Sequence, residues 1–196
     1  MCIFSKNLPN RITISRIVMI FIFLLLANIQ ENSVFNAGFV YWGHVTAYIV
    51  AILAGITDFL DGYLARKYNW ISDFGALMDP LADKIFIVAT FIMMADYGII
   101  AGWIPVVIIS REFLVTGLRL LATNKGQVIS ADKWGKLKTF LQMMVLLIGG
   151  ASWINLISLA KVKLIWNISL WGVVLITVLS GVGYFIRHRA LYSEST

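Results

Sequence analysis

Six long apolar runs dominate the chain, and its polar residues gather between them. The runs cover about Ile12 to Ile29, Tyr41 to Tyr63, Leu77 to Ala95, Ile99 to Leu121, Leu137 to Leu156 and Leu164 to Ile186. A helix crosses a hydrocarbon core of about 30 Å with roughly 20 residues, so each run is long enough to span. None shows the alternation of apolar and polar residues that a membrane barrel needs. The connections are short. This pattern predicts an all-α integral membrane protein, a bundle of six transmembrane helices. The first run follows Lys6, Arg11 and Arg16 but is longer than the apolar part of a signal peptide and lacks a clear small-residue cleavage site. It is therefore read as part of the mature chain.

Composition agrees with the pattern. Of 196 residues, 60% are hydrophobic and 13% charged, about half the charge of an ordinary soluble domain. A disordered tail and a soluble enzyme are excluded. The one cysteine, Cys2, cannot close an internal disulfide, and His44 and His188 are not at metal-ligand spacing from it. The length favours one domain, residues 1–196. The net charge of +6 points to lipid headgroups or anionic substrates and not to nucleic acid.

Six spans place both termini on one side. Fourteen of the sixteen Lys and Arg fall on that side, Arg111 in the inner half of the fourth run included, and only Lys161 and Lys163 on the other. The positive-inside rule makes both termini cytoplasmic. Tyr41, Trp42, Tyr97, Trp103, Trp153 and Trp166 lie near the opposite boundary, as an aromatic belt would. Pro105, early in the fourth run, is expected to end or bend that helix locally.

The carboxylates are not scattered. Asp58, Asp61, Asp73, Asp79 and Asp83 fall within 26 residues. Asp58 and Asp61 close the second run, and Asp79 and Asp83 open the third. Spacings of three and four put each pair on one helix face, and antiparallel neighbours joined by a short loop bring the pairs together at the cytoplasmic ends. Four converging carboxylates repel one another and are costly to desolvate unless cations join them. Their hard oxygens suit Mg²⁺, Mn²⁺ or Ca²⁺ over zinc. Two such ions about 4 Å apart suit phosphoryl transfer. Helix capping explains Asp79 at best, because Asp58 and Asp61 stand at a C-terminal end where the helix dipole disfavours anions. Asp73 breaks the spacing and is expected in the connecting loop. Gly55, Gly62, Ala65 and Gly75 beside the acids allow close helix approach and leave room for a ligand.

Written out, the segment is Asp58-Thr-Phe-Asp61-Gly62-Tyr-Leu-Ala65-Arg66, eight further residues, then Gly75-Ala-Leu-Met-Asp79-Pro-Leu-Ala-Asp83. It resembles the DxxDGxxAR…GxxxDxxxD signature of the CDP-alcohol phosphatidyltransferases, matching at all eight specified positions. The resemblance implies a six-helix membrane fold, usually dimeric, with a cytoplasm-facing active site. It implies attack of an alcohol hydroxyl on the lipid-side phosphorus of CDP-diacylglycerol, with CMP leaving. By motif position it makes Asp58, Asp61, Asp79 and Asp83 metal ligands, for Mg²⁺ or Mn²⁺ and two ions. Asp83 would also be the general base. Gly62, Ala65 and Arg66 would line the CDP site, with Asp58 and Gly75. The charge that develops on departing CMP is what metal ions neutralise in such a reaction. A carboxylate beside a divalent ion is a weak base, so Asp83 can act only if the metal or nearby charge also acidifies the hydroxyl.

The acceptor is read from other residues. The opening Asn7-Leu8-Pro9-Asn10-Arg11-Ile-Thr13-Ile-Ser-Arg16 is similar to the NxPNxLTxxR start of bacterial phosphatidylglycerophosphate synthases, a branch of that family, with Ile12 for Leu. It implies nucleotide contacts from Asn10 and Thr13 and a bacterial inner membrane; an interfacial helix start on anionic lipid is the alternative. Ser110-Arg111-Glu112-Phe113, Gly117-Leu-Arg119 and Gly135-Lys136-Leu-Lys138-Thr139 are also similar to segments of that branch. Arg111 and Glu112 stand inside an apolar run, where charges are usually functional. Being adjacent, they are expected on different faces, whereas Arg111 and Arg119 share one. A cluster of Arg111, Arg119, Lys136 and Lys138 suits an acceptor that carries phosphate, namely sn-glycerol 3-phosphate. Snorkelling to headgroups is the plainer account of the two lysines. Phosphatidylglycerol or an inositol phosphate would satisfy the same cluster. A cation transporter is a third reading, disfavoured because no acid of the cluster lies near the midplane.

Overall fold

A computed structural model of the chain describes the backbone of residues 8–31, 34–68, 73–127 and 133–189, and the side chains of 13–31, 34–57, 78, 80–127 and 137–189. Six helices and no strand occur among the described residues. They are α1 (Leu8–Ala27), α2 (Ala37–Tyr68), α3 (Asp73–Asp96), α4 (Trp103–Asn124), α5 (Lys133–Trp153) and α6 (Lys163–Arg187). Each apolar run becomes one helix. The chain forms two compact units, Met1–Met93 and Met94–Thr196.

In the first unit α1 and α2 form an antiparallel hairpin. Thr13, Arg16, Ile20, Phe23 and Ala27 are buried, and their alternating spacing of three and four makes one stripe along α1. Small residues of α2 admit close approach. A side chain at Gly43 would meet Ile29 Cδ1 at 3.3 Å and the Leu26 carbonyl at 3.8 Å, and Ala47 and Ala54 are buried further along. Asn36 begins α2 as its cap, its Oδ1 accepting the Phe39 N–H at 2.8 Å. His44 Nε2 lies 3.1 Å from the Ile29 carbonyl oxygen and ties the turn. On α3, Ala82, Phe86, Ile87, Ala89, Thr90, Phe91 and Met93 are all buried. Asn28 Nδ2, just past α1, donates to Met93 Sδ at 3.8 Å.

In the second unit α5 and α6 run antiparallel. Gly149 lies against the Trp166 ring and Met94, and Gly172 against Leu141. α4 and α6 run in the same direction, since Arg111 reaches Ser180 and Arg119, two turns on, reaches Tyr184. Val115, Leu118, Tyr184 and Phe185 pack together between them.

Helix ends differ from the apolar runs for local reasons. Gly98 has φ +67°, and the Ile99 N–H returns to the Met94 carbonyl at 2.9 Å. Ile99 therefore belongs to the left-handed closure of α3 and does not open the next helix. Pro105 is in the first turn of α4, where its missing N–H costs no helix hydrogen bond; it neither ends nor interrupts the helix. Asp73 is the first residue of α3, not a loop residue. Asp79 and Asp83 therefore stand inside α3, and Asp58 and Asp61 stand inside α2, which continues to Tyr68. Trp166 is buried against Gly149, so it serves packing and not an interfacial belt.

Two helices are long and apolar enough to cross a membrane among the described residues, Ala37–Thr57 and Lys163–Arg187. Their outer faces are apolar as well. Leu164, Ile168, Trp171, Leu175, Val182 and Ile186 are exposed along one side of α6, and Trp42, Ile49, Leu53 and Ile56 are exposed on α2. Apolar stripes of this extent do not face water in soluble monomers; they mark a membrane protein.

Candidate active site

The acid motif is built on two helices of the first unit. Asp58 and Asp61 stand three apart on α2, and Asp79 and Asp83 four apart on α3. A continuous helical backbone puts each pair on one face of its helix. The side chains of Asn10, Asp58, Asp61, Gly62, Ala65, Arg66, Gly75 and Asp79 lie outside the described residues. Asp83 is described and half-buried, next to fully buried Ala82. No group of three His, Cys, Asp or Glu occurs among the described residues, three of the four motif acids not being among them.

Thr13 is buried on the stripe of α1 that faces α2. Leu26 lies beside Gly43, and counting back along an antiparallel pair brings Thr13 level with the stretch of α2 around Ile56, just before Asp58. Arg16 shares that stripe and is 1% exposed. In the sequence Arg16 is the last position of the NxPNxLTxxR opening and a charge on the terminal side, with no role of its own. Its spacing of three from Thr13 and four from Ile20 was the available sign that it points inward.

The cationic residues belong to the second unit. Glu112 is the hub of an ion-pair cluster. Its Oε1 accepts from Arg111 Nη1 at 3.2 Å and from Lys138 Nζ in a close contact. Arg111 Nη2 donates to Ser180 Oγ at 3.2 Å, and Ser180 Oγ donates to the Thr177 carbonyl at 3.2 Å. Lys138 is 7% exposed. Arg111 and Glu112 thus meet although they are adjacent in sequence. The expectation of separate faces fails because both side chains are long enough to curl toward one point, where Lys138 from α5 draws the carboxylate. Arg111 Nε and Thr177 Oγ1 are buried without a hydrogen-bond partner among the described residues.

Arg119 is different in kind. It is exposed. Its Nε donates to Tyr184 Oη at 3.2 Å, and its guanidinium carbon lies 5.9 Å from the Tyr184 ring centroid. Tyr184 is itself buried at 3% exposure, and the His188 ring packs on it at 4.6 Å. The guanidinium is therefore aimed by a fixed ring while the residue stays exposed. The structure brings Arg111 and Lys138 together around Glu112, and both Arg111 and Arg119 of α4 reach side chains of α6; the Lys136 side chain lies outside the described residues.

Comparison with known proteins points to one family. A family model for CDP-alcohol phosphatidyltransferase matches residues 6–182. A CDP-diacylglycerol–glycerol-3-phosphate 3-phosphatidyltransferase of Bacillus subtilis is 37% identical over 192 residues, covering 93% of this chain and 95% of the relative. A protein of the same name from Rickettsia prowazekii is 37% identical over 183 residues, covering 92% and 94%. A Mycobacterium tuberculosis protein named "Probable phosphatidylglycerophosphate synthase" is 36% identical over 181 residues, covering 92% and 81%. With the model spanning nearly the whole chain and relatives this similar along their length, the chain belongs to the CDP-alcohol phosphatidyltransferase family.

Proposed function

We propose that this protein transfers the phosphatidyl group of CDP-diacylglycerol to sn-glycerol 3-phosphate, releasing CMP. The observation that carries the choice of acceptor is the cationic set of the second unit. Two cations, buried Lys138 and half-buried Arg111, share one carboxylate, and a third is aimed by Tyr184. Such a surplus of positive charge, with arginine forks in fixed orientations, suits a phosphate-bearing alcohol. The names of the relatives point to the same reaction.

In this reading the acceptor hydroxyl attacks the phosphorus that bears diacylglycerol. A new P–O bond forms, the bond to the CMP oxygen breaks, and its electron pair leaves with CMP. Asp83 takes the hydroxyl proton. Arg111, Arg119, Lys136 and Lys138 hold the acceptor phosphate. Asn10, Thr13, Asp58, Gly62, Ala65, Arg66 and Gly75 line the CDP site. The donor set of Asp58, Asp61, Asp79 and Asp83 fits Mg²⁺ or Mn²⁺, since it offers only hard carboxylate oxygens. Bound there, two divalent ions would offset the charge on the pyrophosphate and the departing CMP. The two units act as one catalytic domain, residues 1–196, of six membrane spans. It works as a homodimer in a bacterial inner membrane, with both termini and the active site on the cytoplasmic side, where the Lys and Arg concentrate.

The test is CMP release from CDP-diacylglycerol by purified protein in detergent with Mg²⁺ or Mn²⁺. Release should require glycerol 3-phosphate. Asp83→Asn should lower the turnover rate by about 10² to 10⁴, the usual worth of a general base. Turnover with phosphatidylglycerol or an inositol phosphate, and none with glycerol 3-phosphate, would replace this reading.

A further inference from the structure

Glu112 has no part in the chemistry just described, yet it is the centre of the cationic cluster. One oxygen, Oε1, is shared by Arg111 and Lys138. The side chains of Arg111 and Glu112 are each 14% exposed and that of Lys138 9%. Sharing an oxygen keeps the two cations within about 6 Å of each other, twice a hydrogen-bond length. Two like charges that close in a poorly solvated interior repel strongly. Left alone, the lysine would swing away from the arginine. Glu112 removes that repulsion and leaves the trio with one positive charge.

Orientation follows from the same contacts. Arg111 is held on one side by Glu112 and on the other by Ser180 of α6. A side chain at Gly181 would meet Arg111 Cγ at 3.1 Å, so the arginine stem lies close against the α6 backbone there. With both terminal nitrogens tied, the buried Nε remains as a donor with no partner among the described residues. Such a group is costly to bury unless something accepts from it. Thr177 Oγ1 is buried in the same state on α6, one turn before Ser180. An unsatisfied guanidinium donor in a net positive trio is what the oxygens of an anion satisfy.

We infer that Glu112 is a positioning residue for acceptor recognition. It holds Arg111 and Lys138 together in the arrangement that meets the acceptor's phosphate, and so makes the enzyme selective for a phosphate-bearing alcohol. This rests on the proposed reaction and names a residue that it does not otherwise use.

The experiment measures initial rates of CMP release while glycerol 3-phosphate and CDP-diacylglycerol are varied in turn, for wild type, Glu112→Gln and Glu112→Asp. Glu112→Gln should raise KM for glycerol 3-phosphate about tenfold to a hundredfold, the worth of a hydrogen bond to a charged group. KM for CDP-diacylglycerol should stay where it is. Glu112→Asp, which keeps the charge, should fall between wild type and Glu112→Gln. A residue serving only the fold would lower the active fraction and leave both KM values alone. An unchanged KM for glycerol 3-phosphate, or an equal rise in both, overturns the inference. If Glu112→Gln does not fold, Glu112→Asp carries the test, and a rise of several-fold in KM for glycerol 3-phosphate with KM for CDP-diacylglycerol unchanged is expected. If neither variant folds, Glu112 belongs to the fold and the inference is wrong. Wild-type protein that needs no glycerol 3-phosphate overturns the proposed reaction instead, a result separate from any behaviour of the variants.

Discussion

Tyr184 offers a clean test of how the second unit aims a charge. Its hydroxyl accepts from Arg119 Nε at 3.2 Å, and its ring lies under the guanidinium at 5.9 Å. Tyr184→Phe removes the oxygen and keeps the ring in its packing with Val115, Leu118 and Phe185. A hydrogen bond to a charged donor is worth about 1.5–3 kcal/mol when water does not replace it. Arg119 is exposed, so water does replace it in part, and about 1 kcal/mol is the better figure. That corresponds to roughly a fivefold change in an equilibrium constant. Tyr184→Phe should therefore raise KM for glycerol 3-phosphate about fivefold and leave thermal stability nearly unchanged. Tyr184→Leu also loses the ring under the cation, about 0.5–1 kcal/mol more, and melts lower because a buried ring is gone. The assay is CMP release at saturating CDP-diacylglycerol with glycerol 3-phosphate varied. Because the tyrosine acts through Arg119, adding Tyr184→Phe to Arg119→Ala should change nothing further. Additive effects of the two substitutions would refute the argument.

Further outcomes are expected elsewhere in the molecule. Gly149→Ala places a methyl group against Met94 Cε and 3.2 Å from the Trp166 ring. The Met94 end can swing aside, so the cost, about 1–3 kcal/mol of overpacking, comes from the Trp166 ring and should outweigh the helix preference of alanine, about 1 kcal/mol, lowering Tm in detergent by about 2–4 °C; a Trp166→Phe background should remove most of that penalty. Chelation of divalent ions should abolish CMP release, and Mg²⁺ or Mn²⁺ should restore it, if Asp58, Asp61, Asp79 and Asp83 hold divalent ions as proposed; activity that survives exhaustive chelation would refute this. Burial, and then the neighbouring Asp96 charge, hold the Tyr97 phenol above its ordinary range. Its neutral form is the favoured one in the folded state, so its contribution to stability is present at neutral pH and lost as pH rises through the raised value. Alkaline absorbance titration of wild type against Tyr97→Phe should show this phenol ionising late, and Asp96→Asn should bring it earlier.

The six helices are legible in the sequence because each apolar run is long and bounded by polar clusters, and a chain with so few charges has no competing way to bury them. Helix ends are less legible because they depend on single backbone conformations. Hydropathy carries Ile99 into the fourth run, but Gly98 at φ +67° turns it back onto α3. Asp73 looks like a loop residue by its charge, yet the first turn of a helix favours an acid, which the helix dipole stabilises. At the candidate site, Arg111, Arg119 and Lys138 stand out because charge inside or beside an apolar run must be used for something. Their partners do not stand out. Ser180 and Tyr184 are ordinary residues of an apolar helix until α6 is packed along α4, which spacing in one sequence cannot reveal. Glu112 is misplaced by the rule that neighbours on a helix face apart. That rule describes Cβ directions, whereas the carboxylate and the guanidinium sit several bonds further out and are free to converge on the lysine of a third helix. Sequence spacing therefore locates the charges, and tertiary packing decides which of them neutralise one another and which remain for a substrate. Here that division leaves Arg119 turned outward on a buried ring and Arg111 held from both sides, a difference between two arginines that share a helix face and that no count of residues between them expresses.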